Sequence, residues 1–309
     1  MSRHLVHIGY HKSATTWFQQ DVYPRVENLR YVDREQVRRA FLDDSALHWR
    51  AETARRILQL DVGDRLILCE EGLSGYLHNG GLFGYLSKEM AHRLQAAMPE
   101  SDVVVFIRRQ PDMVAACYAQ YIRGGGTYSV DRYLWPRRYL SHGAESRYDK
   151  IPRFSFDHFE YLPLLRHYRA LFGAERLHVF PFEALKADSV GFLADFASRF
   201  DLRIDPESPG RGRRNVSYRL WLMPVARVLN LFTRRTVLDK HYLVHIPYWY
   251  TTRRWMLERL NRIPLGRAPS PARLLGPRNM DYIQQRYGES NRQLAEEFAL
   301  PLETYDYPL

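Results

Sequence analysis

Short apolar runs alternate with longer amphipathic stretches along this chain. The runs at 5–8, 64–69, 102–107 and 175–182 are bounded by polar turns, and each is the length of a strand. The third holds Val-Val-Val-Phe-Ile, apolar enough to be buried on both faces as in a parallel sheet. Helical periodicity fills the intervals. It predicts a helix beginning near Ser13 or Thr15, a polar helical stretch over 34–60 with Val37, Phe41, Leu42, Leu47, Ile57 and Leu58 as a broken apolar face, and helices over 86–98, 112–122, 157–172, 189–200 and 280–298. Strands alternating with helices predict an α/β fold, a central parallel sheet flanked by helices with right-handed crossovers. We expect an α/β core over 1–205 and a mainly helical extension over 206–309 that packs on the core and is not an independent domain. Within the core, Gly124-Gly125-Gly126 opens an insertion, about 124–156, rich in Arg, Tyr and His and placed over the site.

Composition fits a globular protein: 309 residues, 45% hydrophobic and 14% aromatic. Lys and Arg number 45 against 35 Asp and Glu, a formal charge of +10, so anionic partners are favoured. Two cysteines, Cys69 and Cys117, fall inside core elements and predict reduced thiols. The apolar run after Arg3 is too short for the core of a secretion signal, and no stretch reaches the length of a membrane span. A cytoplasmic, bacterial protein is expected. Residues 217–255 mix Trp, Tyr and Arg with apolar helix, which suits an acceptor-binding wall, ordinary core or peripheral contact with a membrane. The basic run 209–215 suits an anion clamp or a mobile loop. The 12 histidines show no metal-ligand spacing, so no metal is expected, and no internal repeat is evident.

The chemistry concentrates at His7 to Trp17, HIGYHKSATTW, between the first strand and first helix. Helix-start amides lack intrahelical partners and sit at the positive end of the macrodipole, so this turn suits a phosphate. Lys12 adds charge, and Ser13, Thr15 and Thr16 add hydroxyls. The G-x-x-x-x-G-K-[ST] form of a triphosphate-binding loop is not met: the lysine comes early and Ala14 stands where the second glycine belongs. Two further features share the strand ends. Glu70 and Glu71 follow the second strand, and Arg108 and Arg109 close the third, at the sheet edge where α/β proteins keep their chemistry.

Lys12-Ser13-Ala14-Thr15-Thr16-Trp17 resembles the K-[ST]-G-T-T-W loop of the sulfotransferases, with Ala14 the one departure. Alanine fits there so long as the turn does not require positive φ. RRQPDMVAACYAQY, from Arg108, is similar to a bacterial group of that family with R-R-Q at the strand end and S-x-Y-x-Q on the helix. Two registers compete for the donor's 3′-phosphate, Arg108 with Ala116 and Arg109 with Cys117. The comparison favours Arg108, with Ala116 in the serine position and Tyr118 and Gln120 matching. Phe182-Glu183-Ala184-Leu185 and Tyr287 to Arg292 are also similar to elements of the family. The resemblance implies transfer of a sulfuryl group from 3′-phosphoadenosine 5′-phosphosulfate (PAPS), leaving 3′,5′-ADP (PAP), to a hydroxyl or amine of a glycan, glycolipid or secondary metabolite. It implies donor binding by His11 to Trp17, Arg108, Arg109, Ala116, Cys117 and Tyr118, and catalysis by Lys12. The base would be Glu71, Glu70 or His78, with Glu71 the best match to an S-E-G-L-S-G form. The rival classes are a P-loop small-molecule kinase and a basic module that binds nucleic acid or membranes without catalysis; no nucleic acid is expected.

Overall fold

The computed structural model describes residues 3–60, 63, 65–139, 153–209, 217–234, 240–266 and 269–309. Five strands form one sheet: β1 (His4–His7), β2 (Arg30–Tyr31), β3 (Leu66–Cys69), β4 (Ser101–Ile107) and β5 (Leu177–Pro181). Their order is β2-β3-β1-β4-β5 and every pairing is parallel. β3 is buried along its whole length and β4 at all but Asp102, as their apolar runs require. The four strands expected from periodicity are present. β2 escaped notice because two half-buried residues carry no period; its register comes from the flanking bonds Arg30 N to Arg65 O, 2.9 Å, and Val32 N to Ile67 O, 2.9 Å.

Among the described residues the α-helices are α1 (Thr15–Trp17), α2 (Arg34–Phe41), α3 (Ala51–Leu58), α4 (Tyr85–Ala97), α5 (Gln110–Arg123), α6 (Val130–Leu134), α7 (Tyr161–Phe172), α8 (Phe182–Ala187), α9 (Ser189–Arg199), α10 (Leu222–Leu229), α11 (Trp249–Leu260), α12 (Pro271–Leu275) and α13 (Pro277–Phe298). One expectation is corrected. The stretch 34–60 is two helices, because the chain leaves the helix at Leu42 and Trp49 folds back to donate its indole N–H to Ala40 O at 2.9 Å. The first helix keeps α geometry only over Thr15–Trp17, then widens into a π-helical turn, Phe18–Val22, and tightens into a 3-10 turn, Tyr23–Arg25. Pro24 has no N–H to give residue 20, so a regular helix cannot continue through it.

The chain divides into two compact units. The first comprises 1–109, 156–212 and 287–309 and holds the whole sheet. Its core packs Phe18, Val22 and Tyr23 against Ile67, Val104 and Phe106 on one side of the sheet, with Phe196 and Phe200 of α9 and the residue after it. The second comprises 110–155 and 213–286. It is organised by α5, whose Tyr121 hydroxyl accepts from the amides of Thr127 and Tyr128 at 3.2 Å each, and by Asn230, which donates to Ile122 O and Gly126 O. Of the basic run 209–215, all but Pro209 lies outside the described residues.

Candidate functional site

β1 lies at the centre of the sheet. Its connection leaves towards β3 and β2, whereas the chain after β4 passes to β5 on the other side. The carboxyl ends of β1 and β4 therefore flank the crevice where open α/β sheets receive ligands. His7 pairs with Val104, so β4 runs on for three further residues, Val105, Phe106 and Ile107, and lifts Arg108 alongside the loop that follows β1. Arg108 Nη1 donates to Lys12 O at 2.9 Å, its guanidinium lies over the Phe182 ring at 5.2 Å, and its own carbonyl accepts from the Tyr161 hydroxyl at 2.6 Å. Arg109 turns elsewhere. Its amide donates to Glu183, which Tyr307 also holds, and its guanidinium pairs with Asp306 at 3.5 Å.

The loop is built from left-handed residues. Gly9, Lys12 and Ala14 have φ of 48°, 69° and 69°. A Cβ on Gly9 would collide with Cγ2 of Thr15, so this glycine lets the chain double back on the helix start. Ala14, half-buried against the core, has ψ 7°, squarely in the left-handed region. The turn does require positive φ there, the condition under which alanine bears a backbone cost. Ser13 is fully buried and spends its hydroxyl proton on Tyr10 O. Thr15 is buried, Thr16 is half-exposed, and Trp17 packs on the core.

On the β3 side, pairing of His7 with Cys69 places Glu70 and Glu71 level with the start of the loop. Glu70 is 2% exposed, takes Arg34 as its ion-pair partner and accepts from its own Gly72 amide at 3.0 Å, capping the turn Glu71–Ser74. Glu71 accepts from Arg34 Nη2 at 2.7 Å and from Gln19 Nε2 at 3.2 Å, and the same Gln19 amide reaches Cys69 O at 3.0 Å. Gln19 thus ties the helix after the loop to the carboxylate edge.

Three histidines gather beside the loop. His11 is pushed down to about 3 by burial, then by the charges of Lys12, His78 and Arg34. His158, just before α7, is pushed down to about 3 by burial, with His11 and His78 adding to it. Burial also lowers His78. Sequence reasoning named His11 and His78 and missed His158, which lies far along the chain and carries no motif.

Ala116, Cys117 and Tyr118 lie on α5 in the second unit. Ala116 is half-buried, Cys117 is fully buried, and Tyr118 donates its hydroxyl to Tyr128 O at 3.1 Å. In the stretch 217–255, Leu243, Val244, Ile246 and Tyr248 are exposed while Leu222, Met223 and Ala226 of α10 are buried. Among the described residues, no group of three or more His, Cys, Asp or Glu is placed to hold a metal ion, and no helix is long and apolar enough to cross a membrane.

No protein-family model and no curated protein matches the chain. Among solved structures, it is similar to a sulfotransferase from Alicyclobacillus acidocaldarius, at 14% identity over 70% of this chain and 87% of that one, TM-score 0.47. It is also similar to mouse sulfotransferase SULT7A1 complexed with PAP, at 12% identity over 97% of this chain and 89% of that one, TM-score 0.43.

Proposed function

We propose that this protein is a sulfotransferase that takes a sulfuryl group from PAPS and delivers it to a hydroxyl or amine. The observation that carries the reading is the seat of Arg108 on the Lys12 carbonyl, at the crevice between the carboxyl ends of β1 and β4. It brings a guanidinium, an ammonium-bearing residue and the start of a helix to one place, a set of donors suited to an anionic nucleotide. The loop carrying Lys12 is the one whose sequence resembles the sulfotransferase 5′-phosphosulfate loop.

In sulfuryl transfer the acceptor oxygen or nitrogen forms a bond to sulfur while the bond from sulfur to the 5′-phosphate oxygen breaks, and its electron pair stays on that phosphate. Preorganised donors at the departing phosphate stabilise the charge that builds there. Lys12 and the amides of Thr15 and Thr16 take that role in this reading, and Arg108 holds the 3′-phosphate. Glu71 is its base, placed on the β3 edge with its orientation set by Arg34 and Gln19. Ser13 is structural, since its proton is committed to Tyr10.

The reading is tested by calorimetry with 3′,5′-ADP and by PAPS turnover. Wild type should bind 3′,5′-ADP without magnesium and in preference to ATP. Lys12→Ala should fold normally and lose roughly two orders of magnitude or more in turnover. Preference for Mg·ATP would favour the kinase class, and full turnover in Lys12→Ala would remove the loop from the mechanism.

A further inference from the structure

Eight successive residues of the second unit, His241 to Tyr248, are exposed, and Tyr242, Leu243, Val244, Ile246, Pro247 and Tyr248 are among them. Leu243 is 72% exposed and Tyr248 88%. Exposed hydrophobics scattered singly are ordinary; a run of them is not. In the same unit, α10 is apolar all round apart from Arg227. It buries Leu222, Met223 and Ala226 and leaves Pro224, Val225 and Val228 in solvent, where a surface helix carries polar side chains. Among the described residues, ten of the sixteen large hydrophobics that stand exposed fall between Val225 and Leu265, so the exposure is concentrated rather than general.

The segment is held in place. The amide of His241 donates to Thr127 Oγ1 at 3.0 Å, that of Leu243 to Leu231 O at 2.8 Å and that of Ile246 to Phe232 O at 3.1 Å. Lys240 Nζ fixes its entry by donating to Gly125 O at 2.9 Å, and the Trp249 indole fixes its exit by donating to Leu229 O, the last residue of α10, at 2.8 Å. A backbone fixed in advance, with its apolar side chains in water, has little left to order when a partner arrives. Tyr248 closes the segment with φ of 62°, a conformation that costs a bulky residue energy and that collects at functional sites.

Charge decides which partner fits. Residues 221–266 contain eight Lys and Arg against two Asp and Glu, six of the ten net positive charges of the whole chain. Of the two carboxylates, Glu258 is taken up by Arg123 and Arg254, at 3.1 Å and 2.9 Å. Arg234 is exposed with its guanidinium 5.8 Å over the Tyr242 ring, and Arg259 stacks on Trp255 at 3.8 Å. Aliphatic and aromatic side chains interleaved with cations match the interface of an anionic bilayer, where aliphatic groups enter the acyl boundary, aromatic rings sit among the headgroups and each cation near the surface adds attraction. A second copy of this chain fits poorly, because a self-complementary contact would set the same excess of cations against itself. Nucleic acid would engage the cations and the aromatic rings and leave Leu243, Val244 and Ile246 in water.

We propose that the second unit docks peripherally on a membrane that contains anionic phospholipid, with Tyr242 to Tyr248 entering the interface and Arg234 contacting the headgroups. This property lies beyond sulfuryl transfer and does not depend on it.

The test is flotation of the full-length protein with vesicles of phosphatidylcholine alone and of phosphatidylcholine and phosphatidylglycerol in equal parts. Two variants accompany it, Leu243→Ser combined with Ile246→Ser, and Arg234→Gln. All three positions are exposed, so both variants should unfold close to the wild-type denaturant midpoint. Wild type should bind the mixed vesicles about tenfold or more tightly than phosphatidylcholine alone. On mixed vesicles the double serine variant should lose about tenfold or more, and Arg234→Gln about fivefold. Added salt should weaken wild type and the double variant by similar factors, since salt screens the cations and not the aliphatic groups. Absence of binding to mixed vesicles, indifference to phosphatidylglycerol, or full binding by the double serine variant would each overturn the proposal. So would a wild-type dimer in sedimentation equilibrium that the double variant turns into a monomer, which would assign the patch to a second copy. Binding of double-stranded DNA that falls in the double variant as steeply as vesicle binding would overturn it in favour of nucleic acid. Vesicle binding as expected without any binding of 3′,5′-ADP would leave the docking assignment standing and bring down the sulfotransferase reading instead.

Discussion

Ala14, like Lys12 two residues earlier, bears a backbone cost that Ser13 and Thr15 do not. A β-carbon in the left-handed region costs about 1–2 kcal/mol, part of which a glycine would return by loosening the unfolded chain. Ala14→Gly should therefore stabilise the protein by about 0.5–1 kcal/mol in denaturant unfolding and leave 3′,5′-ADP affinity close to wild type. A destabilised Ala14→Gly protein would mean that packing of the methyl group on the core outweighs the backbone. Arg108 and Arg109 are adjacent in sequence and separated in role by their partners, the Lys12 carbonyl for one and Glu183 with Asp306 for the other. Arg108→Ala should weaken 3′,5′-ADP binding by roughly 2–4 kcal/mol, the scale of a charge-assisted phosphate contact with a second bond lost beside it. Arg109→Ala should change it little. A larger loss at Arg109, read by the same calorimetry, would reverse the assignment. Sequence offered both arginines and no means of choosing between them by geometry, because the choice depends on how far β4 overhangs β1.

At the scale of elements, the parallel sheet was legible because β1, β3, β4 and β5 are apolar runs closed by turns. β2 was not, since its two residues have no pattern of their own and take their place from Arg65 and Ile67. Nor was the break between α2 and α3, which a returning tryptophan stabilises from a distance. The loop after β1 could be read as an anion-binding turn from its residue types. Its backbone could not, because three left-handed residues are a property of the turn and not of any one side chain. His158 was invisible for a related reason: the elements that bring it near His11 and Gly80 are far apart in sequence. The buried histidines have a collective consequence. His7, His11 and His158 are each held near 3, against 6.5 for an ordinary histidine, burial being the first cause in every case. As pH falls below about 6.5 the unfolded chain takes up protons on these rings while the folded protein does not, so stability is full above that pH and is lost as pH falls towards 3. Denaturant midpoints should drop between pH 7 and pH 5, above the range where most carboxylates titrate. A midpoint that stays level or rises over that interval would contradict the neutral, buried assignment.

For the molecule as a whole, the two compact units each contain one cysteine, Cys69 in the first and Cys117 in the second, both outside any disulfide and fully buried. A thiol in that position is out of reach of an alkylating reagent until its surroundings open. The pair therefore makes an internal clock with two hands. In native buffer, labelling followed by peptide mass spectrometry gives one rate for Cys69, set by opening around the sheet, and another for Cys117, set by opening around α5. If the units open independently, 3′,5′-ADP should slow labelling of Cys69, the residue that ends β3 beside the proposed donor site, more than that of Cys117. Equal slowing would mean that the chain opens as one cooperative body, so that a nucleotide gripped at the strand ends protects a thiol on α5 as firmly as one in the sheet.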